Sequence, residues 1–507
     1  MEAIPPVTIA EALATALFAL AIMHTFATRA FEHLAHLRPA HAGLWHLLGE
    51  VEVVFGVWAL ALVAALFALQ GPTSTIAYVE SRDFTEPLFV FVIMVIAGSR
   101  PVLLVARAAV EAVARRLPLA AAAADYFVTL ALVPLLGSLI TEPAAMTVAA
   151  LMLGERHFAG GAPVRLRYAT LAVLFVNVSV GGTLTPFAAP PVLMVADTWG
   201  WDFAFMLGNF GWKAAIAVAV NAAVATALFR DELGARGQGT VAAAAQVDDV
   251  TAHRHDRVDA SPADPRGDVP LALTLVHLAF LAGVVASAHH PALFLGLFLV
   301  FLGVAQAYER HQDPLMLREG LLVACFLAGL VVLGGLQRWW LQPLLVDMGA
   351  DVVFYGALAL TAFTDNAALT YLGSLVPDLS ADFRYSLVAG AVAGGGLTII
   401  ANAPNPAGIA ILRRHFEDGA VKPLSFVFVN VFPSTSMVRW AEWSMPMLTD
   451  APGPLTGSRL VEWNVLLERT TSIDAVSAAL TLTLLAALSV NVEPLISCAL
   501  SWRVLTL

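Results

Sequence analysis

Charge is scarce in this sequence. Of its 507 residues 13% are charged, where a soluble chain carries roughly 25% to cover its surface. That deficit excludes an ordinary soluble enzyme, a disordered chain and a nucleic-acid binder. Cysteine is almost missing: Cys325 and Cys498 stand alone in apolar stretches, which excludes a disulfide framework and a paired-cysteine metal site. Lysine is equally rare, with Lys213 and Lys422 the only two among 27 bases, a bias that points to a GC-rich bacterial genome. The 38 acids give a net charge of -11 and leave no basic face for an anionic partner. No GxxxxGK[ST], HExxH or GxSxG occurs, so ATP-driven transport and the commonest hydrolase chemistries lack their residues. A basic n-region is missing too, and Glu2 precedes the first apolar run, so the N-terminus does not read as a cleavable signal.

What is present is hydrophobicity. Hydrophobic residues make up 59% of the chain and the mean hydropathy is +0.79. Apolar runs of about 18 residues or more recur from end to end, the mark of membrane-spanning helices, while the alternation of barrel strands is absent. The fold class is therefore an all-α polytopic membrane protein. The pattern predicts spans at 7–28, 45–70, 86–106, 119–153, 168–197, 203–229, 269–288, 291–308, 319–337, 348–376, 384–412, 424–448 and 473–495.

Cytoplasmic loops are rich in Lys and Arg. With the N-terminus outside, 18 of the 27 bases fall inside, among them Arg29, Arg38, Arg107, Arg115, Arg116, Arg156, Arg310, Arg318, Arg413 and Arg414. This requires 119–153 and 348–376 each to enter and leave on one side. Both are too long for one straight helix, and both are interrupted: at Ser138-Leu139-Ile140-Thr141-Glu142-Pro143 and at Thr364-Asp365-Asn366. They are predicted to be re-entrant helical hairpins. Each is followed by a second interrupted segment, broken at Gly181-Gly182-Thr183-Leu184-Thr185-Pro186 and at Gly394-Gly395-Gly396-Leu397-Thr398.

The order implies two inverted-topology repeats and about 11 full spans plus two hairpins. Residues 1–118 and 269–347 are scaffold spans. Residues 119–229 and 348–450 each hold a hairpin, a broken helix and a last span. Residues 230–268 are a cytoplasmic linker, and 451–507 an outer loop with an extra span. The breaks also agree in sequence, Thr141-Glu142-Pro143-Ala144-Ala145 against Thr364-Asp365-Asn366-Ala367-Ala368 and Gly182-Thr183-Leu184-Thr185 against Gly395-Gly396-Leu397-Thr398.

Broken helices at membrane depth strand backbone groups without water, and they persist where they line a cavity. The alternative is that Gly and Pro merely kink packed helices. Glu142 and Asp365, at the two hairpin tips, are the leading candidates, because a carboxylate at mid-bilayer costs a few kcal/mol. Such a carboxylate binds a hard cation or carries a proton, and desolvation brings the two into competition. Thr141, Thr364, Thr185, Thr398, Asn366 and Asn402 would add neutral oxygens. Asn177, Asn209, Lys213 and Asn405 form a surrounding set, with Lys213 either pairing with a site carboxylate or tethering its helix. Glu86 and Arg100 lie about 21 Å apart along one helix and cannot pair; Arg100 is expected to snorkel inward. His33, His36, His41 and His46 fit no metal template and read as a solvated face. Glu50 and Glu52, two apart, cannot both face the interior.

At these four breaks the sequence resembles the ion transporter superfamily of sodium/proton antiporters, arsenite efflux proteins and citrate and dicarboxylate transporters. Phe84-Thr85-Glu86-Pro87, Ser99-Arg100-Pro101, Thr141-Glu142-Pro143 and Asn402-Ala403-Pro404-Asn405-Pro406 look more closely like the bacterial family called putative sodium/proton antiporters. The resemblance covers about residues 5–450. It implies inverted repeats, sodium held near the hairpin tips by Asp365 and Glu142, and a homodimer formed through scaffold spans. The Ser-Asn-Thr motif of the dicarboxylate branch is absent at both tips. The expected activity is sodium/proton exchange in the bacterial inner membrane, with lipid and small cations as partners and no cofactor, nucleic acid or enzymatic chemistry. The alternatives are an organic-anion (citrate or dicarboxylate) or arsenite carrier, and a lipid-modifying membrane enzyme with Glu142 and Asp365 as its acid/base pair.

Overall fold

A computed structural model describes residues 7–159, 161–234, 269–346, 348–362, 364–416 and 421. Most of the linker, the span at 424–448, the loop 451–472 and the span 473–495 lie outside the described residues. Every described element is helical. In the first half these are α1 (Ile9–Leu37), α2 (Ala42–Gly49), α3 (Val51–Glu80), α4 (Thr85–Ala97), α5 (Arg100–Ala114), α6 (Ala121–Ile140), α7 (Glu142–Leu153), α8 (Val164–Gly181), α9 (Pro190–Trp199) and α10 (Phe203–Leu228). The second half holds α11 (Leu271–Ala286), α12 (Pro291–Ala307), α13 (Leu317–Gly334), α14 (Arg338–Leu345), α15 (Ala350–Thr361), α16 (Asn366–Ser374), α17 (Ala381–Gly394) and α18 (Asn405–Leu412).

Six described helices are long and apolar enough to cross a membrane, or seven if the bent pair α4–α5 is one span. The protein is thus a multi-pass, all-helical membrane protein. Three expectations change in detail. The span at 45–70 starts at Val51 and stays helical to Glu80, passing through a kink where Gly71 takes φ +79° ahead of Pro72. The span at 86–106 is two helices bent by 67°. Ser99 is extended there, and Pro101, which has no N–H to donate, starts the new helix. Arg100 consequently sits buried at the first turn of α5, 6% exposed, instead of snorkelling to an interface.

Burial separates scaffold from centre. In the most apolar stretch of Val164–Leu184, 72% of residues are buried, against 28% in Ile9–Thr28 and 33% in Glu52–Glu80. The scaffold helices α1, α3 and α13 pack together, and α13 also meets α4. They present exposed Leu60, Leu69, Leu321 and Met23 outward, as lipid-facing helices do. At the centre α6 packs on α7 and α8, and α15 packs on α17. The second arms are exchanged: α7 lies against α18, and α16 lies against α9. α7 and α16 therefore each lean on the helix that follows a break in the opposite half.

Candidate functional site

The two hairpin turns place a carboxylate at the start of a helix by different means. Thr141 bridges α6 and α7 with φ +73° and ψ 151°, a conformation uncommon for a β-branched residue, and one that persists only where packing enforces it. Glu142 follows as the first residue of α7 and Pro143 as the second, where its missing N–H leaves no helical bond unmade. In the other hairpin Asp365 is itself the N-cap of α16, with ordinary extended backbone, and its Oδ1 accepts the Ala367 N–H at 2.8 Å. Both acids thus lie at helix N-termini, where partial positive charge stabilises an anion.

Side chains stitch each turn to the broken segment beside it. Ser138 Oγ donates to the Gly181 carbonyl at 2.6 Å and accepts the Leu184 N–H at 2.9 Å. Thr185 Oγ1 donates to the Ser138 carbonyl at 2.8 Å. On the other side Thr398 Oγ1 donates to the Ala362 carbonyl at 3.0 Å, and the Asn366 N–H donates to the Ala401 carbonyl at 3.1 Å. Asn405 Nδ2 bridges the Gly395 and Thr398 carbonyls at 2.8 and 2.9 Å, closing the break ahead of α18.

Beside the breaks, two bonds join one half to the other. Ser179 Oγ donates to the Val392 carbonyl at 2.8 Å, and Asn402 Nδ2 donates to Glu142 Oε2 at 2.8 Å. Glu142 is 0% exposed, and a Cβ added at Gly182 would overlap its Oε1, so only glycine fits against that carboxylate. Asp365 is half-buried instead. It lines a cavity of about 100 Å³ with Thr364, Asn402 and Glu52, walled by Phe18, Phe55, Phe326 and Ile399. Asn402 therefore has one face on the Asp365 cavity and a hydrogen bond to Glu142 behind it.

Several buried polar atoms here have no protein partner among the described residues: Thr141 Oγ1, Glu142 Oε1, both amide atoms of Asn366, Asn402 Oδ1 and Asn405 Oδ1. Buried polar groups are nearly always paired, so such a concentration at three of the four helix breaks is what a site for a polar ligand would show.

The remaining candidates lie further out. Asn177 Nδ2 donates to the Leu130 and Val218 carbonyls, and its Oδ1 accepts from Asn221, so it ties α8 to α6 and α10. Asn209 Nδ2 returns to the Phe205 carbonyl within a π-helical turn at Leu207–Gly211. Lys213 Nζ donates to the Tyr385 hydroxyl at 2.9 Å and stands over its ring, which makes it a tether between halves. His33, His36, His41 and His46 are all exposed, in keeping with a solvated face.

Two contributors were not singled out from sequence. Ser138 lies within the first break, but nothing local identifies its hydroxyl as the stitch. Glu52 enters the Asp365 cavity, and the two-residue offset from Glu50 indicated only that one of the pair would face inward.

No curated protein matches the chain. The family model described as "Putative Na+/H+ antiporter" matches residues 9–441, a stretch that contains every helix described above, and the chain belongs to that family.

Proposed function

We propose that this protein exchanges sodium for protons across the bacterial inner membrane by alternating access. The observation that carries the reading is the pairing of a half-buried carboxylate on a cavity, Asp365, with a sealed one behind it, Glu142, through the single amide of Asn402. Sodium is a hard cation that prefers oxygen ligands; Thr364, Asp365 and Asn402 line the cavity, and Thr141, Glu142 and Asn402 each carry a buried oxygen with no partner among the described residues. A sodium ion bound to these carboxylates leaves when protons neutralise them, so charge in the low-dielectric site stays compensated at each step. Thr364 lines the cavity, Thr185, Thr398 and the Asn366 N–H hold the turns to the neighbouring breaks, and Asn177, Asn209, Lys213 and Asn405 hold the surrounding helices.

The finer architecture belongs to the same proposal: two inverted repeats, hairpins re-entering from opposite faces, about 11 spans, the N-terminus outside and a homodimer. The exchanged packing of α7 on α18 and α16 on α9 supports the repeat, since a two-fold relation demands such reciprocity. A carrier for organic anions fits less well, because Lys213 is engaged by Tyr385 and two acids occupy the helix N-termini. A lipid-modifying enzyme has no use for that reciprocity.

The test is an ion screen in everted membrane vesicles with a preformed pH gradient. Sodium added to vesicles containing the protein dissipates the gradient; a gradient left intact by sodium, lithium and potassium alike overturns the reading.

A further inference from the structure

Glu52 stands in the first turn of α3, facing Asp365 across the cavity of about 100 Å³. Glu52 and Asp365 are the only charged groups lining it among the described residues. Its walls come from α1 (Phe18, Ile22, Thr25), α3 (Phe55), α13 (Val323, Phe326) and the break ahead of α18 (Ile399, Ile400, Ala403). The nearby charges are otherwise engaged: Arg318 Nη2 donates to Glu50 Oε1 at 2.5 Å, outside the cavity, and Glu52 makes no ion pair among the described residues. His24 on α1 is held by the Leu48 carbonyl and the Trp58 indole.

The position is fixed, not adventitious. One turn after Glu52, α3 crosses α13 at backbone contact, where a Cβ at Gly329 would overlap the Phe55–Gly56 peptide. That crossing locks the first turn of α3 onto the cavity. The cavity also holds Asn402, 1% exposed, whose Oδ1 has no partner among the described residues. Two carboxylates across an apolar space repel each other unless a cation or a proton lies between them. A third oxygen, from an amide that already touches Glu142, completes an acceptor set on which a cation can rest.

We propose that Glu52 is a third carboxylate of the exchange path, passing sodium and protons between Asp365 and the water at the α2–α3 junction. A proton leaving the Asp365 carboxyl is taken up by the Glu52 carboxylate and released to that water, while sodium moves the opposite way between the same oxygens. This extends the exchange reading above and rests on it. It predicts an asymmetry that neither hairpin acid can produce, because Glu52 serves one face of the membrane only.

The experiment compares everted and right-side-out vesicles, reading sodium-dependent proton movement against sodium concentration. Glu52→Gln is expected to raise the half-saturating sodium concentration about tenfold when sodium meets the α2–α3 face, and less than about twofold from the opposite face. Glu52→Asp, which keeps the charge, restores it to within about threefold, and Glu50→Gln behaves as wild type. Glu52→Gln within twofold of wild type from both faces overturns the inference, as does an equal loss from both faces that Glu52→Asp does not restore. If Glu52→Gln fails to insert, Glu52→Ala decides by the same one-sided criterion, and a half-saturating sodium concentration within about twofold of wild type from both faces overturns the inference. Wild-type protein inert to every alkali cation is a different result: it removes the exchange reading itself, and this inference with it.

Discussion

Glu142 and Asp365 each stand at the start of a helix that follows a break, yet their surroundings differ in kind. Glu142 is walled in by Gly182, follows the strained Thr141, and among the described residues is hydrogen-bonded by the Asn402 side chain. Asp365 caps its helix with relaxed backbone and looks onto a cavity. Two carboxylates at helix starts thus have different environments, and on the proposed reading environment, more than residue type, decides which of them trades ions.

The sharpest way to break this comparison is Asp365→Asn. Asparagine caps a helix about as well as aspartate, so the fold should survive while the charge is lost. Cation-dependent exchange in vesicles should fall at least about a hundredfold, with thermal unfolding of the purified protein nearly unchanged. Wild-type exchange in this variant would place the site elsewhere, first at Lys213 and Asn209. Glu142→Gln should act more mildly, because a glutamine oxygen still accepts the Asn402 N–H. Exchange should drop about tenfold, and its pH profile should move relative to wild type.

Gly182→Ala tests the wall directly. A methyl group there has to displace the Glu142 carboxylate, at about 1–3 kcal/mol of destabilisation, visible as a lowered melting temperature in detergent. The smallest effects are expected at the stitches. Ser138→Ala removes two hydrogen bonds beside Glu142 and Thr398→Val removes one beside Asp365, at about 1 kcal/mol per bond. The first should therefore unfold at lower temperature than the second.

The four breaks were legible because Gly, Pro and polar residues interrupt apolar runs that are otherwise continuous, and nothing but a break accommodates them. The family could be read from the same residues. The bend at Gly98–Ser99 was hidden: Ser-Arg-Pro falls inside a hydropathy window whose average still describes a span, and only the path of the backbone reveals two helices. The conformation of Thr141 was also out of reach, since threonine gives no local preference for positive φ and packing alone imposes it. Glu52 shows the limit of periodicity. An offset of two residues on a helix separates faces but does not say which face meets a cavity assembled from α1, α13 and a break some 350 positions further along.

Asn402 has a consequence that concerns coupling more than binding. Among the described residues it touches both sites, donating to Glu142 while lining the cavity onto which Asp365 opens. Free-energy coupling between two sites is reciprocal: whatever a cation at Asp365 does to the proton affinity of Glu142, a proton on Glu142 must do to the cation affinity of Asp365. An amide held between them transmits that influence in both directions with equal strength. Changing it to aspartate or leucine would alter that coupling factor, and the change must come out the same whether read as the pH dependence of cation affinity or as the cation dependence of proton affinity.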